Sequence, residues 1–310
     1  MRIGAIVIVL AALACVPLLT ASNTVINFFV GTLIIALAAQ GWNILAGLGG
    51  QLSFGHAAFY GTGAYLSAVL QLRYGLNAWV AAGCGIIAGA GVGAAIGALV
   101  FRAGLRGSYF ALVTLAFAEV FRILANALPV TGAAAGLLLR LDPRPVNMQF
   151  ASRASFFYLA LTCVAAVLLL TLWVTRSRFG AQLAAVRENE EAARALGIDT
   201  FALKLRAMTI SAAIAAAAGV LYLQYYLYID ANLAYGTGVS VAVLLAPVVG
   251  GVGTVLGPLV GAIALHALGE VTRLMAGPVA GIDQVLFGAL LVAAIAFLPG
   301  GLAGSRRAVR

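Results

Sequence analysis

Residues 176–206 read RSRFGAQLAAVRENEEAARALGIDTFALKLR. This stretch holds six of the eighteen Lys and Arg residues and four of the nine Asp and Glu residues of the 310-residue chain. Nearly everything around it is apolar. A charged segment between long apolar runs sits in water while its flanks sit in lipid. Leu183, Val186, Ala193 and Leu196 fall on one helical stripe, and Arg187, Glu190, Glu191 and Arg194 lie off it. Glu190 precedes Arg194 by four residues, the favourable order for a helical ion pair. Gly197 is a natural helix stop, and Asp199 or Thr200 can cap the helix that follows. The expectation is one short amphipathic helix held against a membrane protein from its aqueous side.

The composition supports that frame. The chain is 64% hydrophobic and 9% charged, against roughly a quarter charged in a soluble domain. The fold class expected is all-α: one polytopic membrane domain over residues 1–310, with the water-exposed loop at about 176–203. The net charge of +9 reports topology rather than nucleic-acid binding, because basic residues of membrane proteins gather on the cytoplasmic side. Cys15, Cys84 and Cys163 lie far apart in apolar runs, without metal spacing or a disulfide framework, and are expected as small buried hydrophobes. The N-terminus resembles a signal peptide, but its apolar core is long and further spans follow, so a first transmembrane helix is the better assignment.

About ten apolar runs suffice to span a membrane: 3–21, 25–46, 57–72, 77–100, 108–128, 154–175, 204–228, 238–250, 254–270 and 279–298. Placing the Arg-rich loop in the cytoplasm and alternating outward puts both termini there too. Twelve basic residues then fall inside and five outside, with Arg122 within a span, which satisfies the positive-inside rule. Residues 129–153, with Pro129, Pro143 and Pro145, form the largest outer loop.

Glycine recurs in two patterns. Gly85, Gly89, Gly93 and Gly97 repeat every four residues, as do Gly253, Gly257 and Gly261. Such ridges let transmembrane helices approach closely, and packing within the chain is favoured over a dimer face. The clusters GLGGQLSFGH (47–56) and GGVGTVLGP (250–258) instead interrupt apolar runs at their predicted cytoplasmic ends. Irregular backbone there needs cover from protein or water, and broken helices often line transport pathways; an ordinary tight turn is the alternative.

Glu119 and Arg122 lie mid-span on one helix face. A charge at the bilayer centre costs about 2.5–3.5 kcal/mol on insertion scales, so these two face the protein interior or water and can pair with each other. Asn43, Gln51, Ser53 and Thr62 offer polar contacts to a small solute or hydrogen bonds between helices. With Gly55, His56, Glu119 and Arg122, the first three complete the candidate pathway set. His56 and His266 lack Glu or Cys companions at ligand spacing, so no metal site is expected. Tyr222, Tyr225, Tyr226, Tyr228 and Tyr235 are expected as an interfacial aromatic belt. No nucleophile elbow, Walker loop or zinc-protease motif is present, so the chain has no means of its own to hydrolyse ATP.

Four stretches carry a family resemblance: GWNILAGLGGQLSFGHAAFYGTGAY at 41–65, GLRGSYFALVTLAFAEVFRILAN at 104–126, residues 177–222, and GGVGTVLGPLVGA at 250–262. The chain resembles the permease subunits of branched-chain amino acid ABC importers, of the LivM type. Glu191-Ala192-Ala193 followed by Gly197 resembles the EAA-type loop of such permeases. The resemblance implies that Arg187, Glu188, Glu191, Ala192, Ala193 and Gly197 couple to a cytoplasmic ATPase. It further implies two ATPase subunits that carry ATP and Mg, a second, LivH-like permease, an extracytoplasmic binding protein, and a bacterial inner-membrane location. No cofactor is expected on this chain itself. The outer run TGAAAGL at 131–137 departs from the family's Thr-Gly-Gly-Pro-like pattern. Urea and short-chain amide permeases share most of these motifs and stand as the alternative, with a stand-alone secondary transporter as a third reading.

Overall fold

The apolar runs fold as helices, and their ends fall where the polar and glycine residues are. The computed structural model describes residues 3–20 and 22–276, with only isolated positions beyond. In chain order the helices are α1 (Ile3–Ala14), α2 (Val16–Leu19), α3 (Asn23–Trp42), α4 (His56–Tyr74), α5 (Ala78–Arg102), α6 (Gly107–Ala127), α7 (Arg153–Arg176), α8 (Arg178–Glu188), α9 (Glu190–Ala195), α10 (Thr200–Tyr226), α11 (Ala231–Tyr235), α12 (Thr237–Gly250) and α13 (Gly257–Ala276). A π-type turn, Asn43–Leu48, extends α3.

Among the described residues, six helical stretches are long and apolar enough to cross a membrane: Asn23–Leu48, Ala78–Arg102, Gly107–Ala127, Arg153–Arg176, Thr200–Tyr226 and Ala231–Gly250. With their companions they form an all-α, multi-pass membrane bundle. The more polar α4 and α13 lie beside them, each about 30 Å long at 1.5 Å per residue. The first expected span is broken at Cys15, with Pro17 in the first turn of α2. The tenth, 279–298, lies outside the described residues. Cys15 is exposed rather than buried.

Helices α4, α5 and α10 form one tightly packed group, and α3 packs on α7, α10, α12 and α13. The α5 ridge explains the first group. A Cβ added at Gly89 or Gly93 falls 2.3 Å from the Cβ of Ala216 or Ala212 on α10, so the backbones approach closely and only glycine fits. The second ridge differs from its sequence pattern. Gly253 sits in a turn at φ +76°, and Gly250 of α12 takes its place, facing Gly257 and Gly261 of α13.

At the end of the bundle remote from α8 and α9, Leu137–Leu138 (β1) pairs antiparallel with Tyr228–Ile229 (β2), Leu137 opposite Ile229. The tyrosines here do not form a lipid-facing belt. Tyr235 is buried and stacks on Tyr65 and Phe121, while Tyr225 packs on Phe156 and donates to Asn27. Among the five only Tyr226 is exposed.

Candidate functional site

The charged loop is two helices, not one. Asn189 breaks the pattern with extended backbone (φ −155°, ψ 105°), and its Oδ1 accepts from the backbone N–H of Glu191 and Ala192 at 3.0 Å each. An Asn that caps a helix competes with continuing one. The apolar stripe therefore splits. Leu183 and Val186 of α8 and Ala193 of α9 are buried against the bundle, among Leu45, Leu203 and Ala207. Leu196, expected on the same stripe, is 82% exposed. Gly197 ends α9 at φ +84°, and Asp199 caps α10 by accepting from Ala202 N–H at 3.0 Å.

Two side chains fasten this loop. Glu190 begins α9 and is the hub of the first fastening. Its carboxylate accepts from Lys204 Nζ of α10 at 2.8 Å and from Arg194 at 3.1 Å, and it pairs with Arg106 of the α5–α6 turn at 3.3 Å. The Lys204 and Glu190 side chains are only 6% and 11% exposed. Burial pushes the Glu190 pKa up, but the Lys204 bond and charge, with Arg106, outweigh it and hold the carboxyl below its usual range. The Lys204 ammonium also lies 5.1 Å from the Phe101 ring centroid.

Arg187, at the end of α8, is the second fastening. Its Nη1 donates to the Gly47 carbonyl at 2.9 Å, and its Nη2 bonds Glu188 at 2.9 Å. Its side-chain stem lies over Gly50, where a Cβ would fall 2.6 Å from the Arg187 Cγ. Gly253 is 3.8 Å from Nη1 by the same construction. The two glycine clusters, 203 residues apart in the chain (Gly47 to Gly250), thus meet under one guanidinium. Asn43 joins them directly: its Nδ2 donates to the Thr254 carbonyl at 2.9 Å and its Oδ1 accepts from Gly253 N–H at 2.7 Å. Gln40 adds a bond to the Val255 carbonyl at 2.7 Å.

From Gly50 the chain turns back into the bundle as the irregular segment 51–55. Gln51 bonds the nearby Gly49 carbonyl, and the Ser53 carbonyl accepts from the Trp42 indole at 2.8 Å. Gly55 lies against α6, where an added Cβ would be 2.1 Å from the Thr114 carbonyl oxygen. The first N–H groups at the start of α4 find hydroxyls. Phe54 N–H bonds Thr114, Gly55 N–H bonds Ser53 and Ala57 N–H bonds Ser240 of α12. His56 is buried and its Nε2 is 2.8 Å from the Ser211 hydroxyl. Thr62 bonds its own helix at Ala58.

Asn43, Arg187 and the glycine turns are therefore one cluster, with Ser53, Gly55 and His56 deeper in the same column. Glu119 and Arg122 lie apart. They pair as their spacing implies, at 2.9 and 2.5 Å, and Arg122 also donates to Asn232 of α11 at 2.9 Å. Both are partly exposed on α6. Of the remaining loop residues, Glu188 is exposed, Ala192 is exposed, and Glu191, 82% exposed, reaches Arg106 only at 3.9 Å. Sequence reasoning missed Glu190 as hub, along with Lys204, Arg106, Thr114, Ser211 and Ser240. Buried Lys204 among apolar neighbours was the available signal.

The fold and site together define a multi-pass helical membrane protein with two glycine turns joined by Asn43 and a charged loop fastened to them. The family model described as branched-chain amino acid transport system / permease component matches residues 24–295, and the chain belongs to that family. It is 32% identical over 266 residues to the high-affinity branched-chain amino acid transport system permease protein LivM of Salmonella typhimurium, covering 78% of this chain and 62% of LivM. It thus spans less than two thirds of that relative's length. It is 28% identical over 249 residues to LivH of the same organism, covering 74% and 79%. With BraD of Pseudomonas aeruginosa it shares 27% over 292 residues, 87% and 91%. No solved structure matches.

Proposed function

We propose that the chain is the membrane-spanning permease subunit of an ATP-driven importer of branched-chain or other hydrophobic amino acids. The observation that carries this is the fastened loop. Its apolar side is spent on the bundle through Leu183, Val186 and Ala193, while Leu196, Glu188, Glu191 and Arg194 remain exposed. A loop so shaped offers its outer face to a second protein. One of two cytoplasmic ATPases docks there and the other on the second permease; they close on ATP, and alternating access follows. Arg187, Glu188, Glu191, Ala192, Ala193 and Gly197 form the coupling segment within 176–203 of a single 1–310 domain. The pathway runs beside Asn43, Gln51, Ser53, Gly55 and His56, with Glu119 and Arg122 farther along α6. A LivH-like second permease and an extracytoplasmic binding protein complete the complex. The chain spans the bacterial inner membrane about ten times with both termini in the cytoplasm. Ten spans, an even number, agree with the basic residues gathered on the loop side.

The test is uptake by proteoliposomes holding both permeases, with ATPases and ATP inside and the binding protein outside. Labelled leucine accumulates only with ATP and the ATPases. Accumulation driven by an ion gradient without ATPases overturns the reading, and preferential uptake of urea or acetamide replaces its substrate.

A further inference from the structure

We propose that Arg187 is the positioning residue through which loop movement reaches the irregular segment 51–55. The latch presupposes the loop's role as the ATPase dock. The loop is held at two points on opposite sides of the Asn189 elbow. On the α9 side, Glu190 ties to α10 and to the α5–α6 turn, the body locked by the α5 glycine ridge. On the α8 side the polar link to the glycine turns is Arg187, which donates to Gly47 and lies over Gly50. An elbow between two fastenings lets α8 turn relative to α9. What α8 then pulls is the 47–50 turn.

That turn is five residues from α4. The segment between is anchored at its far end by Trp42 on the Ser53 carbonyl and by Thr114 on Phe54 N–H. Its near end is held by Arg187 and, through Asn43, by the Gly253 turn. A guanidinium on a carbonyl is a charge-assisted bond, stronger than a neutral one, and arginine keeps its charge at every physiological pH. Gly50 makes the contact possible. At φ +70°, beneath the arginine stem, it has neither the room nor the backbone conformation for another residue. A latch of this kind transmits displacement without touching the solute.

The experiment uses the complete complex in proteoliposomes, with Cys15, Cys84 and Cys163 replaced by Ser and Leu52→Cys as reporter. Leu52 is half-exposed on the 51–55 segment. Maleimide labelling of that cysteine is measured nucleotide-free and with ATP and vanadate, beside leucine taken up per ATP hydrolysed. In the parent, labelling changes with nucleotide. In Arg187→Ala, uptake per ATP hydrolysed falls about tenfold or more, as expected for loss of a charged hydrogen bond, and labelling no longer responds. Arg187→Lys, which keeps a donor, restores part of both. Gly50→Ala, should Arg187→Ala not accumulate, gives the same uncoupling with an intact arginine. Parental uptake per ATP with nucleotide-sensitive labelling in Arg187→Ala overturns the latch, as does labelling that never responds to nucleotide in the parent. Leu196→Asp separates the two ideas. If it leaves ATPase binding and uptake intact, the docking role fails; if it abolishes them while Arg187→Ala is normal, the latch alone fails.

Discussion

The glycines of α5 and those of the two turns do opposite work. Gly85, Gly89 and Gly93 sit in regular helix and remove side chains so that α5 can lie on α4 and α10. Gly50 and Gly253 sit at positive φ and let the backbone turn where a helix stops. The first use makes a rigid body, because interlocked backbones have no second arrangement of similar packing. The second makes a place where the chain can bend. The loop is tied to both, by Glu190 to the rigid body and by Arg187 to the bend. Spacing alone does not separate the uses, since Gly253, Gly257 and Gly261 share the four-residue period and only two of them pack as a ridge.

The contrast can be broken in order of effect. Glu190→Ala leaves Lys204 buried without its anion and costs about 3–5 kcal/mol, read as a lower thermal midpoint of the detergent-solubilised protein; an unchanged midpoint dismisses the hub. Gly93→Leu forces α5 off Ala212 and costs about 1–3 kcal/mol or more by overpacking, seen as loss of the monodisperse peak in size exclusion. Gly253→Ala puts a methyl 3.1 Å from the Gly47 carbonyl oxygen and at φ +76°, the strained backbone alone costing roughly 1–2 kcal/mol. That protein purifies normally and loses uptake before it loses ATP hydrolysis. Equal damage to folding by both glycine changes erases the distinction. Asn189→Ala removes the α9 cap for about 1 kcal/mol, detectable as faster hydrogen exchange at Glu191 and Ala192. The weakest effect is acid dependence. Glu190 has its pKa depressed in the fold, so its contribution is present above the unfolded carboxylate value and fades as pH falls through the lower, folded one. The gap in stability between parent and Glu190→Gln narrows over that acid range, and a constant gap down to strong acid contradicts the pairing.

Much of this was legible in residue order. Six spans follow from apolar length, the α5 ridge from its period, the Glu119–Arg122 pair from a three-residue spacing, and the stop at Gly197 and cap at Asp199 from local chemistry. What periodicity cannot show is a partner far along the chain. Arg187 and Gly47 are 140 residues apart, and Glu190 meets Arg106 and Lys204 from different elements. The single amphipathic helix was misplaced because Leu196 fits the stripe arithmetically. The arithmetic holds only if the helix runs through Asn189, whose side chain prefers to end one helix and start another. Tyr235 was misplaced for a related reason: interfacial position is a statistical habit of tyrosine, and stacking on Tyr65 and Phe121 overrides it.

The hydroxyl supply at the start of α4 bears on how the chain is made. Ala57 N–H takes its partner from Ser240, 183 residues later. At a synthesis rate of about 5–20 residues per second, that partner emerges about 10–40 s after α4 does. Until then the Ala57 N–H lacks the partner it has in the fold, and lipid offers it none. The helix is written early, and the hydroxyl that completes its first turn arrives late, on α12.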